Sequence, residues 1–556
     1  MGVAHPSGYP TYTLLGKFAT TMYSKNPARA LNILSSFFAS LSLTVLFFVA
    51  RKIYQNNLFA ALPSAFLAFS SIFWSQAVIT EVYSMNALFT ALILLFAITW
   101  LDSRKPKHML LLFFSLGLSF SHHLLAFFLL PGIALLFFVN RSSLLRTPKR
   151  FVLVCGIVFL AGLLPYCYLP LSASQSPVFN WGDPQTIHSF FRHITGTGEQ
   201  MSVFSASAGT RNVFVFFSSL FFQFTPLGFF FILVGLRVLW LRQRAVANYL
   251  FLSGAAYLFV FFYWNIYDLH PYFTPSMLVF SLFIPAGIRV SASAFSILLH
   301  GKNNMTYLFA VLFFSVLAPT LLLFSNFSVI DKSADYTAID RATNIIDSVP
   351  PGSVVIAEEI DAQPLSYLQQ VLGSRKDVLV ISRDALGKEW YHTQLNSRTG
   401  FFLPKTSQIL VYFSDTFHMS RVRASCGSPG SPPTVECWNI SRQLLSAWVV
   451  LTLYPDRRVF FTFEDKGYLP PGFAFFPAGI LYEAAPEEAE HEMILYNYSF
   501  RGLFDYSAHH DPYIAFMIRA YSRALDYSEK WFLDENRDVP YELLQINMRF
   551  RELRPV

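Results

Sequence analysis

Apolar residues in this chain are grouped into long uncharged runs. Eight runs of 16 to 23 residues contain no Asp, Glu, Lys or Arg, and a helix of about that length can cross a hydrocarbon layer roughly 30 Å thick. Each charge in mid-membrane would cost about 2.5 to 3.5 kcal/mol, so its absence is specific evidence. We predict spanning helices over these runs: Leu31 to Ala50, Leu58 to Val78, Met85 to Leu101, Phe151 to Leu171, Val213 to Gly235, Tyr249 to Ile266, Phe273 to Ile288 and Thr306 to Phe324.

A ninth run, Met109 to Val139, has 31 residues without an acidic side chain, a Lys or an Arg. At about 1.5 Å per residue it is too long for one crossing. Lys and Arg flank both of its ends, so both ends lie on the same side if basic loops stay in the cytoplasm. The run is therefore predicted to cross twice, with its turn near Ser121, His122 and His123, which brings the number of spans to ten.

Basic residues are distributed unequally between the two sides of the predicted bundle. The loops on one side hold 14 Lys and Arg, whereas the internal loops on the other side hold two, Arg192 and Arg211. This asymmetry assigns the basic loops to the cytoplasm. Ten crossings return the chain to its starting side, so residues 1–29 and the part from about Ser325 onward are both predicted to be non-cytoplasmic.

The overall composition agrees with a membrane protein. The 556 residues are 54% hydrophobic and 13% charged, against roughly 25% charged for an average soluble domain. The net charge of +7 follows from the basic loops, so nucleic-acid binding is not needed to explain it.

The part after Ser325 is predicted to be a soluble domain in an oxidising compartment. Acceptor sequences for N-glycosylation begin at Asn326, Asn439 and Asn497, and each is expected at an exposed surface. Cys426 and Cys437 flank a loop rich in Gly, Ser and Pro, and we predict that they form a disulfide.

Within this domain, two short buried strands, Ser353 to Ala357 and Val378 to Ser382, are separated by a helical stretch from Pro364 to Leu372. This order implies a parallel strand, helix, strand unit. Acidic side chains follow the first strand, where α/β sheets place ligand contacts; ordinary surface carboxylates are the alternative to a second catalytic site. The acidic residues are Glu358, Glu359 and Asp361, the further predicted strands are Ile409 to Ser414, Val449 to Leu453 and Val459 to Phe463, and Asp511 to Leu533 is predicted to be helical.

The predicted fold class is a polytopic α-helical membrane protein of about ten spans, followed by a soluble α/β domain with C-terminal helices. We expect four segments: an N-terminal segment over 1–29, the membrane domain over 30–324, the α/β domain over 325–510 and a helical segment over 511–556.

Polar residues gather on the non-cytoplasmic rim of the predicted bundle, and polar groups that a bilayer penalises are functional candidates. Carboxylates, imidazoles and aromatic rings on one rim suit proton transfer and recognition of a polar substrate; for each residue, a helix cap or a solvated loop is the alternative. No pair has a spacing typical of metal ligands, so no metal site is predicted. The candidates are His5, Pro6, Gly8, Tyr9, Glu81, Tyr83, His122, His123, Trp181, Asp183, Arg192, Asp268 and His270.

Three segments of the chain carry a family resemblance. They are Gly2 to Pro10, which reads GVAHPSGYP, Phe73 to Ser84, which reads FWSQAVITEVYS, and Pro364 to Gln369, which reads PLSYLQ. Together they resemble the multispanning GT-C glycosyltransferases of the endoplasmic reticulum that O-mannosylate IPT domains of plexin-type and hepatocyte-growth-factor-receptor-type receptors. The matching segments follow one another in order over nearly the whole chain.

The resemblance implies a GT-C-like helical bundle in the endoplasmic reticulum membrane, with the C-terminal domain in the lumen. It implies transfer of mannose from dolichyl phosphate mannose, a lipid-linked donor, to Ser or Thr of receptor IPT domains. No further cofactor and no nucleic acid are expected. In such a site Glu81 is the acidic candidate, Tyr9 and Trp181 are candidates to stack on the sugar, and His5, His122, His123 and Arg192 are candidates to meet the phosphate.

The sequence also departs from the family pattern. The motif has Ser7 where the family has proline, and family members are expected to carry another helix, and a loop with the principal base, ahead of it. We therefore expect an N-terminally truncated form, impaired in transfer, whose principal base lies upstream of Met1. The alternatives are a catalytically inactive scaffold and a solute transporter, which would place charges near the bilayer midplane.

Overall fold

The computed structural model describes residues 2–142, 148–197, 208–261, 269–300, 303–405, 408–409, 412–413, 435–454, 456–491, 497–504 and 512–553. The chain forms two compact units, Met1–Ile330 and Asp331–Val556. The division into four segments stays a prediction.

The first unit is helical. Its helices are α1 (Pro10–Met22), α2 (Pro27–Tyr54), α3 (Asn57–Ala68), α4 (Ser71–Val78), α5 (Tyr83–Ser103), α6 (Pro106–Phe120), α7 (Leu130–Val139), α8 (Lys149–Gly162), α9 (Tyr168–Ala173), α10 (Ile187–Thr195), α11 (Ala208–Gln223), α12 (Thr225–Arg242), α13 (Arg244–Phe261), α14 (Thr274–Ser281), α15 (Ile284–His300) and α16 (Asn304–Ile330). Single 3₁₀ turns, Leu124–Leu129, Leu164–Cys167 and His270–Phe273, precede α7, α9 and α14.

Several of these helices are long and apolar enough to cross a membrane. Among the described residues, α2, α5, α12 and α16 meet this condition alone, and three bent pairs raise the number to seven if each pair is one span. Pro106–Phe120 and Leu124–Val139 are shorter apolar helices. The chain is therefore a helical bundle with several apolar spans, while the count of ten stays a prediction.

The long run from Met109 to Val139 folds back on itself where the sequence predicted a turn. Helix α6 ends at Phe120, and the next helical turn begins at Leu124. The Phe113 and Phe137 rings stack with their centroids 6.2 Å apart, so the chain turns back between them.

Four predicted spans are not single helices in the structure. Leu58 to Val78, Phe151 to Leu171 and Phe273 to Ile288 each correspond to a pair of helices bent by more than 40°, and Val213 to Gly235 is also interrupted. Val213 to Gly235 was expected to form one helix, but α11 ends at Gln223 and α12 begins at Thr225. Thr225 has a φ of 64°, outside the helical region, and Pro226 follows it. Proline has no N–H for a helical hydrogen bond, so the chain starts a new helix here.

The second predicted span is broken, and polar side chains from other helices compensate for the break. Helices α3 and α4 meet at 70°, which frees backbone groups that hydrocarbon cannot solvate. The Asn326 side chain of α16 donates to the Phe69 carbonyl (2.7 Å), and Gln223 Oε1 accepts from the Ile72 N–H (2.7 Å). The loop that carries Glu81 follows directly after α4, which ends at Val78.

The second unit contains an α/β domain. Its elements are α17 (Thr337–Asp347), β1 (Val354–Ala357), α18 (Glu359–Gln370), β2 (Leu379–Ser382), α19 (Glu389–Thr399), α20 (Val435–Leu453), β3 (Val459–Phe461), β4 (Phe473–Ala478), β5 (Leu481–Pro486), α21 (Pro512–Asp534) and α22 (Tyr541–Glu552).

The sheet has the order β2-β1-β3-β5-β4. Strand β1 pairs in parallel with β2 and β3, and β5 is antiparallel to β3 and β4. Along β1, Val355 and Ala357 pack into one hydrophobic core, whereas Val354 and Ile356 pack into another. Both faces of the sheet are thus covered, as period-two alternation in a strand requires.

Sequence patterns identified only part of this sheet. The predicted strands at β1, β2 and β3 and the helix at α21 are confirmed. The strand predicted over Val449 to Leu453 is wrong, because these residues end α20, and the strand predicted over Ile409 to Ser414 is wrong at Ile409 and Phe413, which are helical. Short apolar runs fit a buried helix as well as a strand.

Asp361, one of the acidic residues after β1, forms a buried ion pair rather than a ligand contact. Its carboxylate accepts two hydrogen bonds from Arg341 of α17, at 2.5 and 2.8 Å, and the two side chains are 1% and 3% exposed. Such a pair fixes α17 against α18, and the loss of one partner leaves the other charge buried.

We expect Asp361→Asn to destabilise the second unit by about 3 to 5 kcal/mol, because Arg341 would lose its buried counter-charge. The matched control is Asp377→Asn, which removes an exposed partner of Arg375 and should cost less than about 1 kcal/mol. Thermal unfolding of the full chain checks both; equal losses would contradict the account.

Candidate functional site

The predicted motif residues form a tight turn ahead of α1. The Gly8 N–H donates to the His5 carbonyl (2.7 Å), and the Tyr9 hydroxyl lies 3.0 Å from Nε2 of His5 and 3.2 Å from the Pro6 carbonyl. Gly8 has a φ of +85°, which a residue with a Cβ rarely adopts. The turn therefore holds His5 and Tyr9 in one fixed arrangement.

Tyr9 is the centre of a group of rings, which we call the ring cluster: His5, Tyr9, Tyr83, His123, Trp181 and Tyr272. Ring centroids are 5.0 Å apart for His5 and Tyr9 and 5.3 Å apart for Tyr9 and His123. On one side Trp181 lies 6.0 Å from His5. On the other, Tyr83 and Tyr272 lie 6.0 and 6.3 Å from His123. Chain segments far apart in sequence thus contribute to one aromatic surface.

The loop that carries Glu81 lies next to the ring cluster. Ser35 of α2 contacts the Glu81 backbone N–H (3.3 Å) and the Tyr12 hydroxyl (3.3 Å). The His122 Nε2–H donates to the Val82 carbonyl (2.9 Å). Burial raises the pKa of Tyr9, with smaller contributions from Tyr272 and the Glu81 carboxylate. The Tyr9 hydroxyl therefore stays protonated beside a partly exposed carboxylate.

Two further contacts fix the N-terminal segment to the bundle. The Thr11 hydroxyl lies 2.8 Å from the Ser121 hydroxyl in the turn after α6. Val3 donates to the Phe179 carbonyl (2.7 Å), and the Trp181 N–H donates to the Val3 carbonyl (3.3 Å). The loop before α10 is therefore paired with the start of the chain, and this pairing brings Trp181 to His5.

Asp183 organises this loop. Its carboxylate accepts from the side-chain amides of Asn180 (2.8 Å) and Gln185 (2.9 Å). Asp183 itself has a φ of 42°, a conformation that Asp tolerates better than most residues. Its role in the structure is to shape the turn that presents Trp181.

The His193 ring packs against Gly8 of the motif and against Gly182. It is 3% exposed, and a Cβ on Gly8 or Gly182 would lie 3.0 or 2.7 Å from its ring nitrogens. Burial, with a smaller contribution from the nearby His5, lowers the pKa of His193 to about 4. A neutral imidazole thus fills the space between two glycines with positive φ.

The remaining predicted site residues are not part of the ring cluster. Arg192 is exposed on α10, where its neighbour His193 faces the motif. His270 is exposed, and its Nδ1 lies 3.0 Å from the Ser219 hydroxyl. His122 is fully buried and holds the Glu81 loop. Asp268 lies outside the described residues.

Sequence reasoning left out Tyr272, and it counted His193 among the polar residues of the loop after Ser172 without giving it a role. Tyr272 lies two residues after His270, so the polar cluster there was a signal for its loop. The role of His193 was not predicted because a histidine in a loop has no pattern that distinguishes a buried support from an exposed side chain.

The asparagines predicted to be glycosylated differ in exposure, and only one of the two cysteines predicted to pair lies among the described residues. Asn439 and Asn497 are exposed, whereas the Asn326 amide is bonded to Phe69 inside the bundle. Cys437 is disulfide-bonded and Cys426 lies outside the described residues. Glycosylation and the pairing of these two cysteines stay predictions.

Glu358 and Glu359 are also engaged within the α/β domain. The Glu358 carboxylate accepts a hydrogen bond from Arg383 (2.6 Å), yet burial raises the pKa of Glu358. The Glu359 carboxylate accepts a hydrogen bond from the Gln363 side chain (2.6 Å). Glu358 borders a cavity of about 990 Å³ at the carboxyl ends of β1 and β3. Among the described residues that line it, five are basic and five acidic, so the cavity does not select one ligand charge.

No group of three or more His, Cys, Asp or Glu in the described part of the chain is arranged to hold a metal ion. The ring cluster and the adjacent Glu81 supply a carboxylate that can accept a proton, hydroxyl and imidazole donors, and aromatic faces.

We expect Gly182→Ala to destabilise the first unit by about 1 to 3 kcal/mol, because the new methyl would overlap His193 at a strained backbone position. Gly156→Ala is the control, since a Cβ there meets nothing within 4 Å. The thermal midpoint of the full chain in detergent checks this, and an unchanged midpoint for Gly182→Ala would contradict it.

Acid should destabilise the first unit through His193. Its folded pKa of about 4 lies below an ordinary value near 6.5, so the folded state binds fewer protons, and this contribution, complete above about pH 6.5, is lost as pH falls toward 4. His193→Gln should flatten the fall of the thermal midpoint between pH 7.5 and 5. His188→Gln, an exposed change on the same helix, should keep it; identical profiles for the two variants would refute the assignment.

The chain is similar in sequence to known proteins. Residues 1–146 match the family described as the protein O-mannosyl-transferase TMEM260 N-terminal domain. The protein O-mannosyl-transferase TMEM260 of Mus musculus is 26% identical over 70% of this chain and 58% of its own length, and that of Dictyostelium discoideum is 21% identical over 70% and 54%. The chain thus spans a little over half the length of these relatives.

Among solved structures, ArnT from Cupriavidus metallidurans bound to undecaprenyl phosphate is 14% identical, with coverage of 81% of this chain and 84% of that one and a TM-score of 0.46. We draw no argument from a likeness at this score. The matched residues 1–146 include the His5 to Tyr9 turn, the Glu81 loop and the His122–His123 turn. The part of the chain that holds these features is therefore similar to the N-terminal domain of the protein O-mannosyl-transferase TMEM260.

Proposed function

We propose that the chain is a glycosyltransferase that moves mannose from dolichyl phosphate mannose to Ser or Thr hydroxyls of receptor IPT domains in the lumen of the endoplasmic reticulum. The observation that carries the proposal is the placement of Glu81 beside the ring cluster, within the part of the chain that matches the O-mannosyltransferase family. The relatives' names support the sugar and the protein acceptor.

The reaction exchanges one bond at the anomeric carbon of the sugar. The bond from this carbon to the phosphate oxygen breaks, a bond to the acceptor hydroxyl oxygen forms on the opposite face, and the hydroxyl proton leaves. A carboxylate must accept that proton, and donors must stabilise the departing phosphate. Dolichyl phosphate is the second product.

The ring cluster and the Glu81 carboxylate beside it contain groups suited to each task. Among the carboxylates of this chain we assign Glu81 as the proton acceptor. It is an alternative to the principal base that the family resemblance implies ahead of the motif. His5, His123 and the Tyr9 hydroxyl are hydrogen-bonding groups that can face the phosphate, while Trp181 and Tyr83 offer apolar ring faces on which a pyranose can pack. The apolar helices around them suit a donor whose lipid tail stays in the bilayer.

Transfer of labelled mannose from dolichyl phosphate mannose to a purified IPT domain tests the proposal. We expect the full chain in lipid nanodiscs to transfer, and Glu81→Gln to lower kcat by about 100-fold or more, as loss of a general base does. Glu488→Gln is the matched control, an exposed carboxylate in the second unit, and should leave the rate unchanged.

Two results would overturn parts of the proposal. Absence of transfer by the wild-type chain, with acceptor binding retained, would favour a scaffold over an enzyme. Full activity of Glu81→Gln would keep the transferase but remove Glu81 as its base.

A further inference from the structure

A groove lies where the end of α2, the end of α5 and the start of α6 meet. It encloses about 360 Å³. Arg51 and Lys52 come from the last turn of α2, and Lys107 comes from the first turn of α6. A contact of 2.6 Å between the Ser103 hydroxyl and Nδ1 of His108 fixes the corner between α5 and α6 and therefore the place of Lys107.

The lining of this groove has a charged end and an apolar body. Among the described residues that form it, none is acidic, and its apolar walls are Phe48, Leu95, Phe96 and Leu111. Phe48 and Leu111 are 51% and 41% exposed, so they meet acyl chains if α2 and α6 cross a bilayer. The complementary ligand carries a negative group at one end and hydrocarbon at the other.

We propose that this groove binds an anionic glycerophospholipid. Arg51, Lys52 and Lys107 hold the lipid phosphate, and one acyl chain lies along Phe48 and Leu111. Basic pockets between membrane helices recognise anionic headgroups in this way, with about 1 kcal/mol contributed by each cation near the membrane surface. The site is separate from the ring cluster and does not depend on the transferase reaction.

Native mass spectrometry of the full chain in detergent, titrated with phosphatidylglycerol or phosphatidylcholine, measures the preference. We expect the wild-type chain to bind phosphatidylglycerol at least about tenfold more tightly. The triple variant Arg51→Gln, Lys52→Gln, Lys107→Gln should lose this preference. The matched control, Arg141→Gln, Lys149→Gln, Arg150→Gln, removes three cations near other helix ends and should keep it.

A second variant keeps the cations and fills the groove. Thr99 lines it, so Thr99→Trp should weaken phosphatidylglycerol binding while leaving binding of inorganic phosphate unchanged. The proposal is refuted if the triple variant retains the preference, if the control loses as much as the triple variant, or if inorganic phosphate alone binds as tightly as the lipid.

Discussion

The break between α3 and α4 is the constraint on which the first unit depends. A helix that stops inside an apolar bundle exposes carbonyls and N–H groups that lipid cannot satisfy. Asn326 and Gln223, from helices far away in sequence, supply the missing partners. The break is therefore a stabilised part of the bundle. Its consequence is that α4 ends where the Glu81 loop meets Ser35 and His122.

The site itself is a set of loops held by backbone hydrogen bonds rather than by one rigid element. The start of the chain pairs with the segment around Phe179, and Thr11 is bonded to Ser121. These contacts collect aromatic and imidazole rings around Tyr9, beside one carboxylate. Such a surface can pack a sugar against the ring faces and offer hydrogen bonds to a phosphate from the ring edges. This connects the fold to the proposed transfer.

The sequence predicted the membrane class, the turn at Ser121 to His123 and three of the five strands, because long uncharged runs and charged flanks report directly on burial. It did not predict the break at Thr225, because the interpretation rested on the uncharged length of the run and gave no weight to Pro226. It also missed β4 and β5, which lack simple alternation. Of the site, the sequence identified the motif, Glu81, Tyr83, His123 and Trp181. It did not identify Tyr272, and the supporting role of His193 depends on tertiary packing that no local pattern encodes.

The most direct measurement is the mannosyl-transfer rate of Gln223→Met, compared with that of the wild-type chain. This change keeps the side-chain length, touches no residue of the ring cluster, and removes the hydrogen bonds to Ile72 and Ser71. If the hydrogen bonds at the break between α3 and α4 position the Glu81 loop, the transfer rate of the variant falls at least about tenfold while the chain stays folded. An unchanged rate would contradict the account.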